Sequence, residues 1–208
     1  MDDSKLLLVV EDVPGIRELL ELTLRFKNYE VLGAEDGQEA LDLIRNRRPA
    51  VIVSDILMPH MDGFSLLYRL KSDPATRDIP VVFISATYIS PEDKDFARVL
   101  GVTRFIEKPI DMESFLTLIA DLIREPPAPQ PPLLNEEEFL EKYRARLEAK
   151  LAQKNQQVAR AQRLLETAMP TETSGFEASL RQALNERKAI EIELENLKDV
   201  LHRRNSTQ

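Results

Sequence analysis

Three acids, a hydroxyl and an amine stand in this chain where short apolar runs give out. The run LLLVV ends in Glu11-Asp12, VIVS ends in Asp55, PVVFI ends in Ser85-Ala86, and RFIE ends in Lys108-Pro109. In an open parallel sheet, ligands collect at the carboxyl ends of the strands. If these runs are strands of one sheet, groups far apart in sequence converge on one site. Hard cations such as Mg2+ take oxygen donors, a few carboxylates completed by water and phosphate. Carboxylates, a hydroxyl and an ammonium in one place therefore suit phosphoryl chemistry.

Positioning them requires alternating strands and helices, and residues Lys5 to about Glu125 supply that alternation. The apolar runs KLLLVV, YEVLGA, AVIVS, IPVVFIS and RFIE are separated by GIRELLELTLRFKN, GQEALDLIRN, GFSLLYRLK, PEDKDFARVL and DMESFLTLIADLI, whose apolar residues recur at helical spacing. Five such units predict one α/β doubly wound domain, a parallel sheet with helices on both faces. Residues 126–132, PPAPQPP, hold five of the chain's 13 prolines. They predict a stiff, extended linker of about 20 Å that no helix can run through.

From residue 133 to 208 the chain changes character. Asn135-Glu-Glu-Glu138 reads as a helix start, and Leu140, Leu147, Leu151, Val158, Ala161, Leu165 and Ala168 keep a heptad stripe that Arg144 and Lys154 interrupt. Met169-Pro170 and Gly175 break it, so two long helices with a break near 169–175 are expected. Ser174 with Glu177 opens the second, whose stripe runs Phe176, Leu180, Ala183, Arg187, Ile190, Leu194, Leu197 and Leu201. At 1.5 Å per residue the pair should be about 50 and 40 Å long. Uncovered stripes of that length need partners. The readings left open are a helical hairpin, two hairpins paired in a homodimer, and a parallel coiled coil.

The ordered set VVED, SDILMPHMDG, FISA and FIEKP resembles the response-regulator receiver domain of two-component signalling, over residues 5 to about 125. The resemblance implies a five-stranded flavodoxin-like sheet of order 2-1-3-4-5. It also implies that Asp55 accepts a phosphoryl group from a phosphohistidine on a partner histidine kinase or phosphotransfer protein. Mg2+ would be held by Asp12, Asp55 and the backbone carbonyl of Leu57, with Glu11 acting largely through water. Lys108 would offset the repulsion between carboxylate and phosphoryl group, both anionic. Ser85 would hydrogen-bond the phosphoryl oxygen, with serine where threonine is commoner, and Phe105 matches the switch aromatic. Met58, Pro59 and Gly63 match the loop after the acceptor, and Pro109 the cis-proline. Leu57 and Thr87 occupy positions that tune phosphoryl lifetime. Glu107 next to Lys108 is a departure that could weaken its charge, although strand alternation should point the two apart.

Other chemistries fit less well. A haloacid-dehalogenase-like phosphatase needs a second acid two residues after the nucleophile, and position 57 is leucine. Neither GxGxxG nor GxxxxGK[ST] occurs. His60 reads as a solvated loop residue, and His202 as a helix-end cation beside Arg203 and Arg204. Glu193 and Asn196 stand on one helical turn like the acid and amide of receiver phosphatases, a pairing that chance explains.

Composition sets the remaining bounds. The chain of 208 residues has a formal net charge of -8, with no cysteine and no apolar run long enough for a membrane span. Residues 133–208 carry as many acids as bases, so the negative excess lies in the front part, as expected of carboxylates gathered round a cation. Together these predict a soluble, cytoplasmic regulator that contacts neither nucleic acid nor membrane, with no enzymatic activity beyond its own phosphotransfer and autodephosphorylation. Its helical region would act as a dimerisation or output module. The alternatives are a phosphatase or phosphotransfer role for those helices, or a chain that forms the front of a larger hybrid signalling protein.

Overall fold

The computed structural model describes residues 6–85, 91–128, 134–167 and 173–205. The chain divides into two compact units, residues 1–135 and 136–208.

The first unit opens with β1 (Leu6–Val10), whose five residues are all buried. An apolar strand with no polar face must be covered on both sides, which is the environment of a central parallel strand. There follow α1 (Pro14–Phe26), β2 (Glu30–Ala34), α2 (Gly37–Asn46), β3 (Val51–Asp55), α3 (Gly63–Ser72), β4 (Val81–Ser85), α4 (Pro91–Val99), β5 (Arg104–Glu107) and α5 (Met112–Arg124). The strands form one parallel sheet of order β2-β1-β3-β4-β5, as the sequence leads one to expect. The order reverses between β1 and β3, so the crevice at their carboxyl ends is the fold's ligand position.

Alternation along the strands divides the core in two. Leu7, Val9, Val51, Val53, Val82 and Ile84 face Leu20 and Leu24 of α1 and Phe115, Ile119 and Leu122 of α5. On the opposite side, Phe83 packs edge-on against Phe64 of α3, with ring centroids 5.4 Å apart, and Phe64 in turn meets Phe96 of α4 at 5.4 Å. Three helices begin at an aspartate whose carboxylate accepts backbone N–H groups of the first turn: Asp36 from Gln38 and Glu39, Asp62 from Ser65, and Asp111 from Glu113. Such caps hold otherwise orphaned N–H groups and fix where each loop ends. Helix α1 uses Pro14 at its first turn instead.

The second unit is two helices, α6 (Glu136–Thr167) and α7 (Thr173–Asn205). At 1.5 Å per residue both are close to about 50 Å long, so the second exceeds its expected length. The cross-links Tyr143 to Glu193 and Lys154 to Glu186 run in opposite directions along the two chains, which makes the pair an antiparallel hairpin. Within the chain the two helices thus pair as the helical hairpin that the sequence reading allowed. Leu140, Leu147, Val158 and Ala161 of α6 and Ala183, Ile190, Leu194 and Leu197 of α7 are buried, so the two stripes cover each other. The α6 seam differs from expectation by one residue at its first interruption. Tyr143 is 1% exposed, stacked on Phe139 at 5.3 Å, and its hydroxyl donates to Glu193 Oε1 at 3.0 Å. Arg144 turns outward to Glu148 at 3.1 Å. Lys154 does interrupt the stripe, and its charge is met by Glu186 across the seam. Ala86, Thr87, most of the proline linker (129–133), Ala168 and Met169-Pro170 lie outside the described residues, as do the side chains of Ser174, Leu201 and His202. Among the described residues no helix is long and apolar enough to cross a membrane.

One buried cation gives the first unit a pH signature. Lys71 on α3 is 4% exposed, and its ammonium donates to the carbonyls of Arg77 (3.0 Å) and Ile79 (2.8 Å), closing the α3–β4 loop. Burial lowers its pKa from 10.5 to about 8. Below about pH 8 the folded and unfolded chains both hold the proton. Between about 8 and 10.5 only the unfolded chain does, so stability rises with pH in that window, by up to about 3 kcal/mol. Urea unfolding of the wild type should show this rise and the Lys71→Met variant should not; parallel pH profiles would assign the proton to other groups.

Candidate functional site

The carboxyl ends of β1 and β3 deliver the acids. Glu11 follows directly on β1, and its backbone N–H donates to the carbonyl of Ala34, at 3.0 Å, extending the β1–β2 ladder by one step. That placement leaves Glu11 1% exposed, an unusual state for a glutamate. Asp12 follows, half-buried, and Asp55 is the last residue of β3, with a side chain 13% exposed. One oxygen from each of Glu11, Asp12 and Asp55 lies within 4.8 Å of the others.

Lys108 comes from the far side. It follows β5, its backbone N–H donates to the carbonyl of Ser85 at 2.7 Å, and the next peptide bond, to Pro109, is cis as expected. Its Nζ stands 2.9 Å from Asp55 Oδ2 and 2.9 Å from Glu11 Oε2. Glu107 faces away and pairs with Lys94 of α4, so alternation separates the two neighbours and Glu107 does not draw on the Lys108 charge.

The electrostatics show an imbalance. Burial, reinforced by the Asp55 carboxylate, raises the pKa of Glu11 above the usual range despite the Lys108 ammonium. Asp12 is raised for the same two reasons, burial first and Asp55 second. For Lys108 burial acts against the charged form, but bonds to Asp55 and Glu11 outweigh it and hold the ammonium above its usual value. Three carboxylates facing one ammonium leave a negative excess. Only oxygen donors converge there, the composition a hard divalent cation requires, so the residues present fit Mg2+.

The remaining expected residues lie round this cluster. Ser85 is 5% exposed at the end of β4, where it pairs in register with Glu107, one residue before Lys108. Phe105, half-buried on β5, meets Phe83 edge-on at 6.2 Å, and Lys94 Nζ lies 5.9 Å from the centre of its ring. The backbone after Asp55 turns sharply: Ile56 N–H donates to Asp55 Oδ1 at 2.6 Å and Gly63 N–H to Ile56 O at 2.9 Å. Ile56, Met58 and Met61 are buried while Leu57 is exposed. Two features escaped the sequence reading. His60, exposed as expected, is bonded to Asp36. Helix α1 buries Leu20 and Leu24, uses Arg17 and Arg25 beside that face to reach the carbonyls of Glu11 (2.6 Å) and Val31 (3.0 Å), and leaves Leu19, Leu22 and Phe26 exposed. So many apolar residues occupy α1 that the pattern alone does not say which stripe is buried.

Comparison with known proteins follows this geometry. Residues 7–120 match the family model described as response regulator receiver domain. The response regulator PleD of Caulobacter vibrioides is 39% identical over 121 residues, which cover 58% of this chain and 26% of PleD. The solved signal receiver domain of a signal transduction histidine kinase from Syntrophus aciditrophicus is 31% identical, with a TM-score of 0.56, covering 61% of this chain and 95% of that one. Vibrio cholerae chemotaxis protein CheY4 is 33% identical with a TM-score of 0.52, covering 55% and 95% respectively. These matches account for the first unit. The chain spans only about a quarter of the length of PleD.

The fit at Gly63 is testable. A β-carbon there would lie 2.5 Å from the backbone oxygen of Asp55 and 3.0 Å from Ile56 Cα, and neither is a flexible side-chain end. Gly63→Ala should cost about 1–3 kcal/mol of unfolding free energy, read as a lower urea midpoint. An unchanged midpoint would mean that the acceptor loop yields freely.

Proposed function

The chain belongs to the response-regulator receiver family, and on that premise we propose that Asp55 accepts a phosphoryl group from a phosphohistidine on a partner protein and that the helical hairpin carries the output. The observation that carries this reading is the Lys108 ammonium held 2.9 Å from both Asp55 and Glu11 beside a three-carboxylate cluster. In the transfer, an Asp55 carboxylate oxygen forms the new P–O bond as the P–N bond to the donor histidine breaks, and the imidazole leaves with the electron pair. Attack by water later returns the carboxylate and inorganic phosphate.

Each residue has a definite part in that exchange. Glu11, Asp12, Asp55 and the backbone carbonyl of Leu57 would hold Mg2+, which when bound supplies positive charge against two mutually repelling anions. Lys108 adds a fixed positive charge at the acceptor oxygen, and it is already in contact with the carboxylate. Ser85 is the hydroxyl on the neighbouring strand end that would bond the phosphoryl oxygen. Phe105, on the strand that Lys108 follows, would respond to that bond by repacking, which biases the surface formed by α4 and β5.

A phosphohistidine donor needs a seat, and α1 offers one. Val13 and Leu57 are exposed beside the cluster, and Leu19, Leu22 and Phe26, the last 85% exposed, continue away from it along α1. Because this apolar stripe starts at the acceptor, a donor helix with an apolar face that lies along it keeps its histidine at Asp55. The hairpin in turn buries its own stripes, so the homodimer expected from uncovered stripes is no longer required for burial. Leu164 and Ile192 are exposed apolar residues of the hairpin. The tie from Tyr143 to Glu193 gives that glutamate a structural part, and nothing described favours a phosphatase role for it.

Incubation with acetyl phosphate and Mg2+ should add one phosphate by intact mass, abolished in Asp55→Asn and slowed at least about tenfold in Lys108→Ala. Unchanged labelling of Asp55→Asn would move the acceptor elsewhere. Separately, Leu22→Glu with Phe26→Glu should reduce transfer from a phosphorylated histidine kinase about tenfold while leaving acetyl phosphate labelling at the wild-type rate. Equal loss in both assays would point to damage at the acceptor itself.

A further inference from the structure

The loop that follows Asp55 is braced from outside the cluster. His60 has a left-handed backbone, with φ of 59°, and its Nδ1 lies 2.7 Å from Asp36 Oδ2. Asp36 belongs to the β2–α2 loop. Its other oxygen accepts the N–H groups of Gln38 and Glu39, at 2.8 and 2.9 Å. Burial works against its charged form, but the bonds from Glu39, His60 and Gln38 outweigh it and hold its pKa below the usual carboxylate value. An ionised carboxylate only accepts, so Nδ1 carries the hydrogen and His60 donates. A second tie lies next to the first: Gly37 N–H donates to Met61 O at 3.0 Å, and a β-carbon on Gly37 would come within 2.8 Å of that oxygen. Two loops separated by a strand and a helix are thus joined at adjacent points.

We propose that His60 is a positioning residue for the metal site: by bonding Asp36 it holds the outer turn of the 56–62 loop so that the Leu57 carbonyl faces the acidic cluster. This rests on the reading of Glu11, Asp12, Asp55 and Leu57 as the Mg2+ donors. The inner side of the loop is fixed by burial of Ile56, Met58 and Met61, whereas Leu57 is 51% exposed and its peptide depends on the turn that follows. A backbone carbonyl has no rotamer to adjust, so its aim is set by the loop path alone. Histidine at a left-handed position carries a backbone cost that glycine would avoid. The side-chain bond to Asp36 gives the residue a compensating role.

The substitutions separate bond from backbone. His60→Gly keeps the left-handed turn and removes the donor. His60→Asn also accepts that backbone, and its Nδ2 stands nearly where Nδ1 does, so it restores the donor without an imidazole. Mg2+ titration of the full chain without any phosphoryl donor, followed by amide chemical shifts, should give an affinity about fivefold weaker for His60→Gly and within about twofold of wild type for His60→Asn. Acetyl phosphate labelling of His60→Gly should recover the wild-type rate at saturating Mg2+. Wild-type affinity in His60→Gly, or equal weakening in His60→Asn and His60→Gly, would overturn the proposal. Absence of Mg2+ binding and of Asp55 labelling in the wild type would instead overturn the underlying assignment of the donors.

Discussion

Crowding of like charge at the ends of β1 and β3 is the constraint on which the functional part of this structure depends. Three carboxylates lie within contact range of one another, one of them almost wholly buried, and a single ammonium faces them. Desolvation disfavours the charged forms of Glu11 and Asp12, and repulsion from Asp55 adds to it. Such an arrangement persists only if the surrounding fold holds it. The parallel sheet does so by ending two adjacent central strands at the same level, and β5 brings Lys108 from two strands away. The charge left over is what the proposed binding of a divalent cation, and of a phosphoryl group beside it, rests on.

Much of this was legible in the sequence because the signals are local and repeated. The five apolar runs are short and separated by helical periodicity, and each polar residue at a run's end became a residue at a strand's carboxyl end. The aspartates that cap α2, α3 and α5 are a local signal of the same kind that the sequence reading did not use. What was hidden depends on pairing across distance. The α6 seam takes Tyr143 and turns Arg144 outward because the aromatic ring stacks on Phe139 and its hydroxyl reaches Glu193 on the other helix. A heptad count cannot see either contact. The bond between Asp36 and His60 joins residues 24 apart and requires a positive φ that the sequence does not announce. The polarity of α1 was illegible for a different reason, since the helix has more apolar residues than its buried face can use.

The surplus of apolar residues on α1 bears on how the two faces of the domain differ. Arg17, Glu21 and Arg25 form a polar row, with Glu21 bonded to Arg25 at 2.7 Å and both arginines bonded to backbone carbonyls of the β1 and β2 strand ends. Gly33 on β2 has no side chain where Glu21 approaches: a β-carbon there would meet its carboxylate at 2.0 Å. Polar groups are therefore engaged at the edge of the sheet, Leu20 and Leu24 fill the core, and Leu19, Leu22 and Phe26 stay exposed. By contrast the α4 and β5 side is closed over Phe105 by the ion pair of Lys94 and Glu107.

The antiparallel run of α6 and α7 has an architectural corollary. Because the two helices are nearly equal in length and reverse direction, residues near the start of the first lie across from residues near the end of the second, as the bond from Tyr143 to Glu193 illustrates. Chain enters and leaves the rod at one and the same end. A piece built this way behaves as a cassette: it can be lengthened by whole heptads in matched pairs, or cut out and grafted elsewhere, without opening a gap in the polypeptide on either side.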